Sequence, residues 1–281
     1  MERMISELNA VPETMLIPLW AKATETMRKD ALLVDNKAVE IMQKIDYDFS
    51  KFRKAKASQV GCCIRAKLID QEVTAFLAEH PDAVVIQLGA GIDARYERLG
   101  SPKVAHWFDL DLEEAIKLRK KFLHETECNT YIAASLFDEC WIERVKTYEK
   151  PVLIIIEGVL MYFEPERVEA FFKNLCTKLQ DATVLFDMLA YTALRHSKQH
   201  DALKKMKKNA EFKWSLLHTN DMESWHPALR MEKEYYMSDY DEGKYPLLLR
   251  LLYRLPYFYM HFNQRVVKLH IGETFDRKSQ K

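Results

Sequence analysis

Residues 84 to 99 read VVIQLGAGIDARYERL. A mostly apolar run stops at Gly89, and Ala90, Gly91, Asp93 and Arg95 follow within a few positions. A glycine turn after a buried strand lets backbone approach a bound group with no Cβ in the way. Such a turn can cradle a dinucleotide pyrophosphate, take up another nucleoside cofactor, or merely bend strand into helix. Acids stand near the ends of two further apolar runs. Asp109 and Asp111 lie in HWFDLDLEEA, and Glu157 directly follows VLIII. An acid ending a buried strand is unusual unless it is paired or functional.

Taken literally, Gly89 to Ala94 satisfies G-x-G-x-x-[G/A], and an acid follows about twenty positions later, as a dinucleotide fingerprint asks. Two details oppose that reading. Asp93 would set negative charge where a pyrophosphate meets a helix N-terminus. Only DARYERLGSPKV then separates the turn from the next apolar run, a short crossover with little apolar face. S-adenosylmethionine suits the residue set better. It brings no phosphate, and needs a close backbone approach, a cation for its carboxylate, and acceptors for its ammonium and ribose hydroxyls. Asp109 or Asp111 can accept from the ribose, although Asp111 could equally cap a helix beginning at Leu112. An NAD(P)-linked oxidoreductase is the alternative, weakened because none of the nine histidines sits in a motif that would assign it hydride-transfer chemistry.

These residues need a scaffold that gathers strand ends. VVIQL, VAHWFDL (104–110), YIAAS (131–135), VLIII (152–156) and TVLFD (183–187) read as strands buried on both faces, as in a parallel sheet. Helical patterns alternate with them. Leu112, Ala115, Ile116 and Phe122 form one face; Val168, Phe171, Phe172, Leu175 and Leu179 form another, behind Pro165. Strand, helix, strand, helix predicts an α/β doubly wound sheet. RVVKLHIG (265–272) alternates and predicts a late antiparallel strand. The first eighty residues read as helical, with His80-Pro81 closing a helix. Leu203, Met206, Ala210, Trp214 and Leu217 make an apolar stripe that predicts an amphipathic helix over 198–217. PLLLRLLYRLPYFYMHF, from Pro246, reads as a buried helix followed by an irregular turn. Its arginines and prolines exclude a spanning helix.

The 281 residues suffice for one large domain, and no linker or repeat divides them. Lys plus Arg equals Asp plus Glu at 42 each, which argues against a nucleic-acid binder. The five cysteines include no CxxC, so free thiols in the cytoplasm fit better than a disulfide framework. No Cys/His cluster has zinc-ligand spacing. The N-terminus MERMISELNAVPETM lacks the apolar core of a signal peptide.

Six segments, in order, carry a resemblance: ETMLIPLWAKATET, GCCIRAKLID, VVIQLGAGIDARYERL, HWFDLDLEEAIKLRKKF, ASLFDECWIERV and IIIEGVLMYFEPERVEAFF. Over roughly residues 13 to 190 the chain resembles the leucine carboxyl methyltransferase superfamily, including its bacterial polyketide O-methyltransferase-like branch. The resemblance implies a class I methyltransferase: a Rossmann-like, mostly parallel sheet with N-terminal helices (1–80), a cofactor-binding core (81–190), a helical insertion over the active site (191–235) and C-terminal strands (236–281). It implies S-adenosylmethionine as cofactor and S-adenosylhomocysteine as product.

Roles follow by position. Arg65 resembles the arginine that grips the methionyl carboxylate, with Lys22 assisting. Gly89, Ala90 and Gly91, with Asp93, form the cofactor turn. Asp111 resembles the ribose-binding acid, and Glu157 an acid lining the cofactor pocket. Tyr162 lies near where the methyl would be, although packing is the simpler role for an aromatic residue. Relatives often carry Asp-Leu where this chain has Ser135-Leu136 at the adenine; Asp138 is a second candidate acceptor. The expected reaction is in-line methyl transfer to a carboxylate or hydroxyl of a small molecule, a protein C-terminus being the alternative acceptor. Neither nucleic acid nor membrane is expected as partner, and no general base is nominated. A protein that binds cofactor without turnover is the reading from another class. The insertion is expected to govern acceptor choice: its deletion would spare cofactor binding and abolish transfer.

Overall fold

Three helices precede the first strand: α1 (Glu13–Thr26), α2 (Asn36–Lys44) and α3 (Lys56–Glu79). The computed structural model describes residues 13–196 and 211–272. Asp35 caps α2 by accepting from the Ala38 N–H at 2.8 Å. The long α3 is apolar on several sides and largely buried, and it ends at His80, before Pro81.

Strand and helix then alternate as expected: β1 (Val84–Leu88), α4 (Arg95–Arg98), β2 (His106–Asp111), α5 (Glu113–Arg119), β3 (Asn129–Ala133), α6 (Cys140–Lys146), β4 (Val152–Ile156), α7 (Pro165–Lys178) and β5 (Ala182–Met188). A single turn, α8 (Ala193–His196), follows. Then come β6 (Leu229–Tyr236), α9 (Leu247–Tyr253), α10 (Pro256–Phe262) and β7 (Arg265–Ile271). The sheet order is β3-β2-β1-β4-β5-β7-β6, with β7 antiparallel to both neighbours. Side chains of alternate parity fill two cores. Val85, Trp107, Leu153 and Leu185 pack towards α1 to α3. Ile86, Phe108, Ile154 and Phe186 pack with Trp141 of α6 and Phe172 of α7.

Strand order reverses between β1 and β4, and there a doubly wound sheet opens a crevice beyond its strand ends. Register aligns those ends. Leu88 pairs with Leu110 and with Ile156, and Ile156 pairs with Phe186. The next residue of each strand path is therefore Asp111, Gly89, Glu157 or Asp187, so one rung of the sheet edge carries three acids beside a glycine.

Three expectations need correction. Residues 211–216 are irregular rather than helical, and the rest of the expected 198–217 stripe, 198–210, lies outside the described residues. β6 begins at Leu229, inside the stretch expected to be a helical insertion, because LRMEKEYY pairs along β7. The run from Pro246 forms two short helices with no buried residue, not one buried helix. Its proline at 256 starts the second helix, and Leu247, Leu248, Leu251, Leu255 and Tyr257 face outward. Among the described residues, no helix is long and apolar enough to cross a membrane.

Candidate active site

A cavity of about 890 Å³ lies over the aligned strand ends, near the top of the ~300–1,000 Å³ range of ligand pockets. The turn after β1 supplies Gly89, Ala90, Gly91 and Asp93. Gly89 has φ +72, and a Cβ there would fall 2.4 Å from Val159 Cγ2. Both the backbone angle and the packing therefore require glycine. Gly91 donates its N–H to Asp111 Oδ2 at 2.7 Å, while Asp111 Oδ1 accepts from the Leu112 N–H. The acid expected at the ribose thus also ties the first turn to the second. Burial pushes the Asp111 carboxyl up, offset in part by these two N–H donors.

Arg65 reaches the cavity from α3. Its Nε donates to Glu157 Oε1 and its Nη1 to Asp187 Oδ2, each at 2.9 Å. Its Nη2 makes no hydrogen bond among the described residues, and a Cβ on Gly158 would lie 3.2 Å from it. Glu157 is also held by Arg95 Nη2. Burial alone would raise the Glu157 carboxyl, but Arg95 and Arg65 overcome this and hold it down to about 2. Lys22 of α1 is buried and pairs with Asp93. Arg98 donates to the same acid at 2.8 Å, and to Asp35 and Asp70 at 2.7 Å each. Arg95 binds the other oxygen of Asp70 at 2.7 Å. One connected network runs from Lys22 through Asp93, Arg98, Asp70, Arg95 and Glu157 to Arg65 and Asp187. Buried charges joined this way have few alternative arrangements, so the site is preorganised before a ligand arrives.

Beyond the polar end, Ala134, Ser135, Leu136 and Phe137 form a mostly apolar stretch of the lining. Ser135 Oγ accepts from the Phe137 N–H at 3.2 Å, and Asp138 Oδ2 from the Ser135 N–H at 2.9 Å. Asp138 is not among the residues that line the cavity. At the opposite end, Tyr162, Phe212, Met237, Tyr245, Tyr253 and Phe262 enclose an aromatic chamber.

Comparison with known proteins fits this geometry to a family. The profile described as leucine carboxyl methyltransferase matches residues 16–176. The tetracenomycin polyketide synthesis O-methyltransferase TcmP of Streptomyces glaucescens is 32% identical over 232 residues, 83% of this chain and 85% of that protein. The chain belongs to the leucine carboxyl methyltransferase family. An S-adenosyl-L-methionine-dependent methyltransferase from Gibberella zeae is 26% identical, covering 88% of this chain and 90% of that one. The fold matches a DUF574 family protein from Streptomyces avermitilis with TM-score 0.57, at 11% identity, over 91% of this chain and 97% of that one.

This leucine carboxyl methyltransferase family member is therefore an S-adenosylmethionine-dependent methyltransferase, and the oxidoreductase and non-catalytic alternatives fall away. The chain's own residues fit that cofactor. Arg65 Nη2 and Lys22 would supply cations for its carboxylate. Gln87, Asp93 and Glu157 would supply acceptors for its ammonium; the buried Gln87 Oε1 has no hydrogen-bond partner. When bound, the cofactor supplies a methyl group already activated on a sulfonium.

All eleven site residues expected from sequence line this one cavity. Asp109 does not. It is locked below the turn by Arg119 at 2.7 Å and Asn129 at 2.9 Å. Sequence reasoning missed Arg95, Arg98, Asp187 and Gln87. Asp187 carried the same signal as Glu157, an acid ending a buried strand. The two arginines sit three apart, directly after the turn's own acid, and that spacing was a usable clue.

Proposed function

We propose that this methyltransferase O-methylates the carboxylate of a small molecule with an apolar, aromatic body. The observation that supports the carboxylate is the state of the ionisable groups lining the cavity. Glu157 and Asp93 are held in the ionised, ion-paired form by neighbouring cations, against the opposing effect of burial, while Asp111, which burial pushes up, has both oxygens engaged by the Gly91 and Leu112 N–H groups. Burial pushes the Tyr162 phenol up to about 12 and raises the Cys62 thiol and the Tyr245 and Tyr253 phenols. Among the described residues, no histidine lines the cavity. A hydroxyl acceptor needs a base poised near neutral pH. A carboxylate is already the nucleophile, and asks only for alignment about 3–3.5 Å from the methyl carbon in a dry site.

The aromatic chamber supports the small-molecule acceptor over a protein C-terminus, which would bring polar backbone into it. The S. glaucescens relative, by its name, acts in polyketide synthesis, which agrees with such a body. Neither nucleic acid nor membrane is a proposed partner. Five free thiols support a cytoplasmic setting.

The test is transfer from methyl-tritiated S-adenosylmethionine to paired aromatic acids and phenols of equal ring size. Base-labile methyl esters are the expected product, released as volatile methanol at high pH. Base-stable ethers from the phenols alone would sink the carboxylate reading.

A further inference from the structure

We propose that Gln264 binds the acceptor, its carboxamide N–H donating to the acceptor carboxylate. This rests on the carboxylate reading above and adds a residue to it. Gln264 joins α10 to β7 and lines the aromatic end of the cavity. Its backbone carbonyl accepts from the Met237 N–H, but its side chain makes no hydrogen bond among the described residues. Of the neighbouring polar side chains, Tyr162 keeps a hydroxyl with no partner among the described residues, and Tyr245, Tyr253 and Asn263 are committed. The Tyr245 hydroxyl donates to the Met237 carbonyl at 3.2 Å, the Tyr253 hydroxyl to the Phe262 carbonyl at 3.4 Å, and Asn263 to Ser238 at 2.6 Å. The half-buried Gln264 carboxamide at the edge of the apolar chamber keeps its donors free for a ligand.

Its position relative to the cofactor end follows from α3. Ser58, Gly61, Cys62 and Arg65 share the face of α3 that borders the cavity. A Cβ built on Gly61 would lie 3.5 Å from Gln264 Oε1, and a half-turn about the Cγ–Cδ bond exchanges that oxygen for the donating Nε2. Gly61 precedes Arg65 by about one helical turn, ~6 Å of rise along α3, so Gln264 and Arg65 border the cavity from neighbouring turns of that face. That separation suits an acceptor oxygen beside a methionyl group held by Arg65. Gly61 gives independent support. Glycine is a poor helix former, and the chain has only seven. Alanine would fit at 61 in ordinary van der Waals contact, so the protein's own packing does not demand glycine there. Glycine there leaves room in the cavity for an acceptor beside Gln264.

The test is fluorescence titration of 2-naphthoate, and of uncharged 2-methylnaphthalene, into the S-adenosylhomocysteine complex of the wild type, Gln264→Leu and Gln264→Glu. A hydrogen bond to a charged group predicts about tenfold or more weaker naphthoate binding in Gln264→Leu. Gln264→Glu should weaken it further, because two carboxylates then face each other. Affinities for 2-methylnaphthalene and S-adenosylhomocysteine should stay within about twofold, which also reports an intact fold. Equal naphthoate affinity in wild type and Gln264→Leu overturns the role of Gln264 and leaves the carboxylate reading standing. No naphthoate binding to any of the three proteins at millimolar concentration overturns both.

Discussion

Arg65 Nε and Glu157 Oε1, 92 residues apart in sequence, lie 2.9 Å apart at the floor of the cavity. The pair joins the N-terminal helices to the carboxyl edge of the sheet. It also leaves the outer nitrogen of the guanidinium unused. One side chain therefore holds two parts of the fold together and presents a cation to the cavity.

Arg65→Ala should separate those two effects in size. A charge-assisted hydrogen bond contributes ~1.5–3 kcal/mol, so S-adenosylhomocysteine affinity should fall about 10- to 100-fold by calorimetry. Loss of the guanidinium also leaves Glu157 and Asp187 under-compensated, at a cost of about 3–5 kcal/mol in thermal or denaturant unfolding. Arg65→Lys restores the charge without the fork, and should recover part of each. Unchanged cofactor affinity in Arg65→Ala would remove Arg65 from the cofactor site.

The same pair sets an acid limit on stability. Burial opposes ionisation of Glu157, but Arg95 and Arg65 prevail, so its folded pKa, about 2, lies below the ordinary 4.5. The ionised form then favours the folded state. That contribution is complete above about pH 4.5 and disappears as pH falls towards 2. Glu157→Gln should be less stable than wild type at pH 7, and the gap in melting temperature should close between about pH 4.5 and 2. A gap that is constant across that window would show that the pairing does not act through ionisation.

Much of this was legible in sequence, for physical reasons that also mark where reading stopped. Runs such as VLIII, short and rich in β-branched residues, read as strands buried on both faces, and the observed register sets Gly89, Asp111 and Glu157 in one row. Arg95 and Arg98 were hidden because an arginine after a turn looks like any exposed helix residue until its carboxylates are located. Asp70, Asp93 and Glu157 come from three separate segments. The α9–α10 pair was misread because its leucines suggested burial, and periodicity alone does not say whether an apolar face meets protein. Gln264 gave no sequence signal, since a lone glutamine has no spacing to betray it.

Gly89 offers a test of the turn independent of any acceptor. Its φ of +72 disfavours a side chain, and an added Cβ would meet Val159 Cγ2 at 2.4 Å. Gly89→Ala should destabilise the fold by about 2–5 kcal/mol, the sum of left-handed backbone cost and overpacking. Adding Val159→Ala relieves the clash but not the backbone, so the double variant should recover only part of the loss. Full recovery would show that φ at 89 carries no cost.

Tyr162 decides between an acceptor that arrives ionised and one that must be deprotonated in the site. Its ring packs against Phe212 at 5.7 Å, and its hydroxyl has no hydrogen-bond partner among the described residues. Burial pushes its pKa up to about 12, so it stays neutral from pH 6 to 9 and can donate but not take a proton. With an aromatic acid as acceptor, Tyr162→Phe should lower kcat by less than about tenfold, the share of one hydrogen bond. The pH profile of kcat/KM should keep its shape across that range, because no titrating group has been removed. A general base would behave differently. Its loss typically costs about 10²–10⁴ in rate and deletes a limb of the profile. A hundredfold fall in Tyr162→Phe, with S-adenosylhomocysteine affinity intact and the profile altered, would assign proton abstraction to this phenol. The acceptor would then be a hydroxyl, and the carboxylate reading would fail at its central premise.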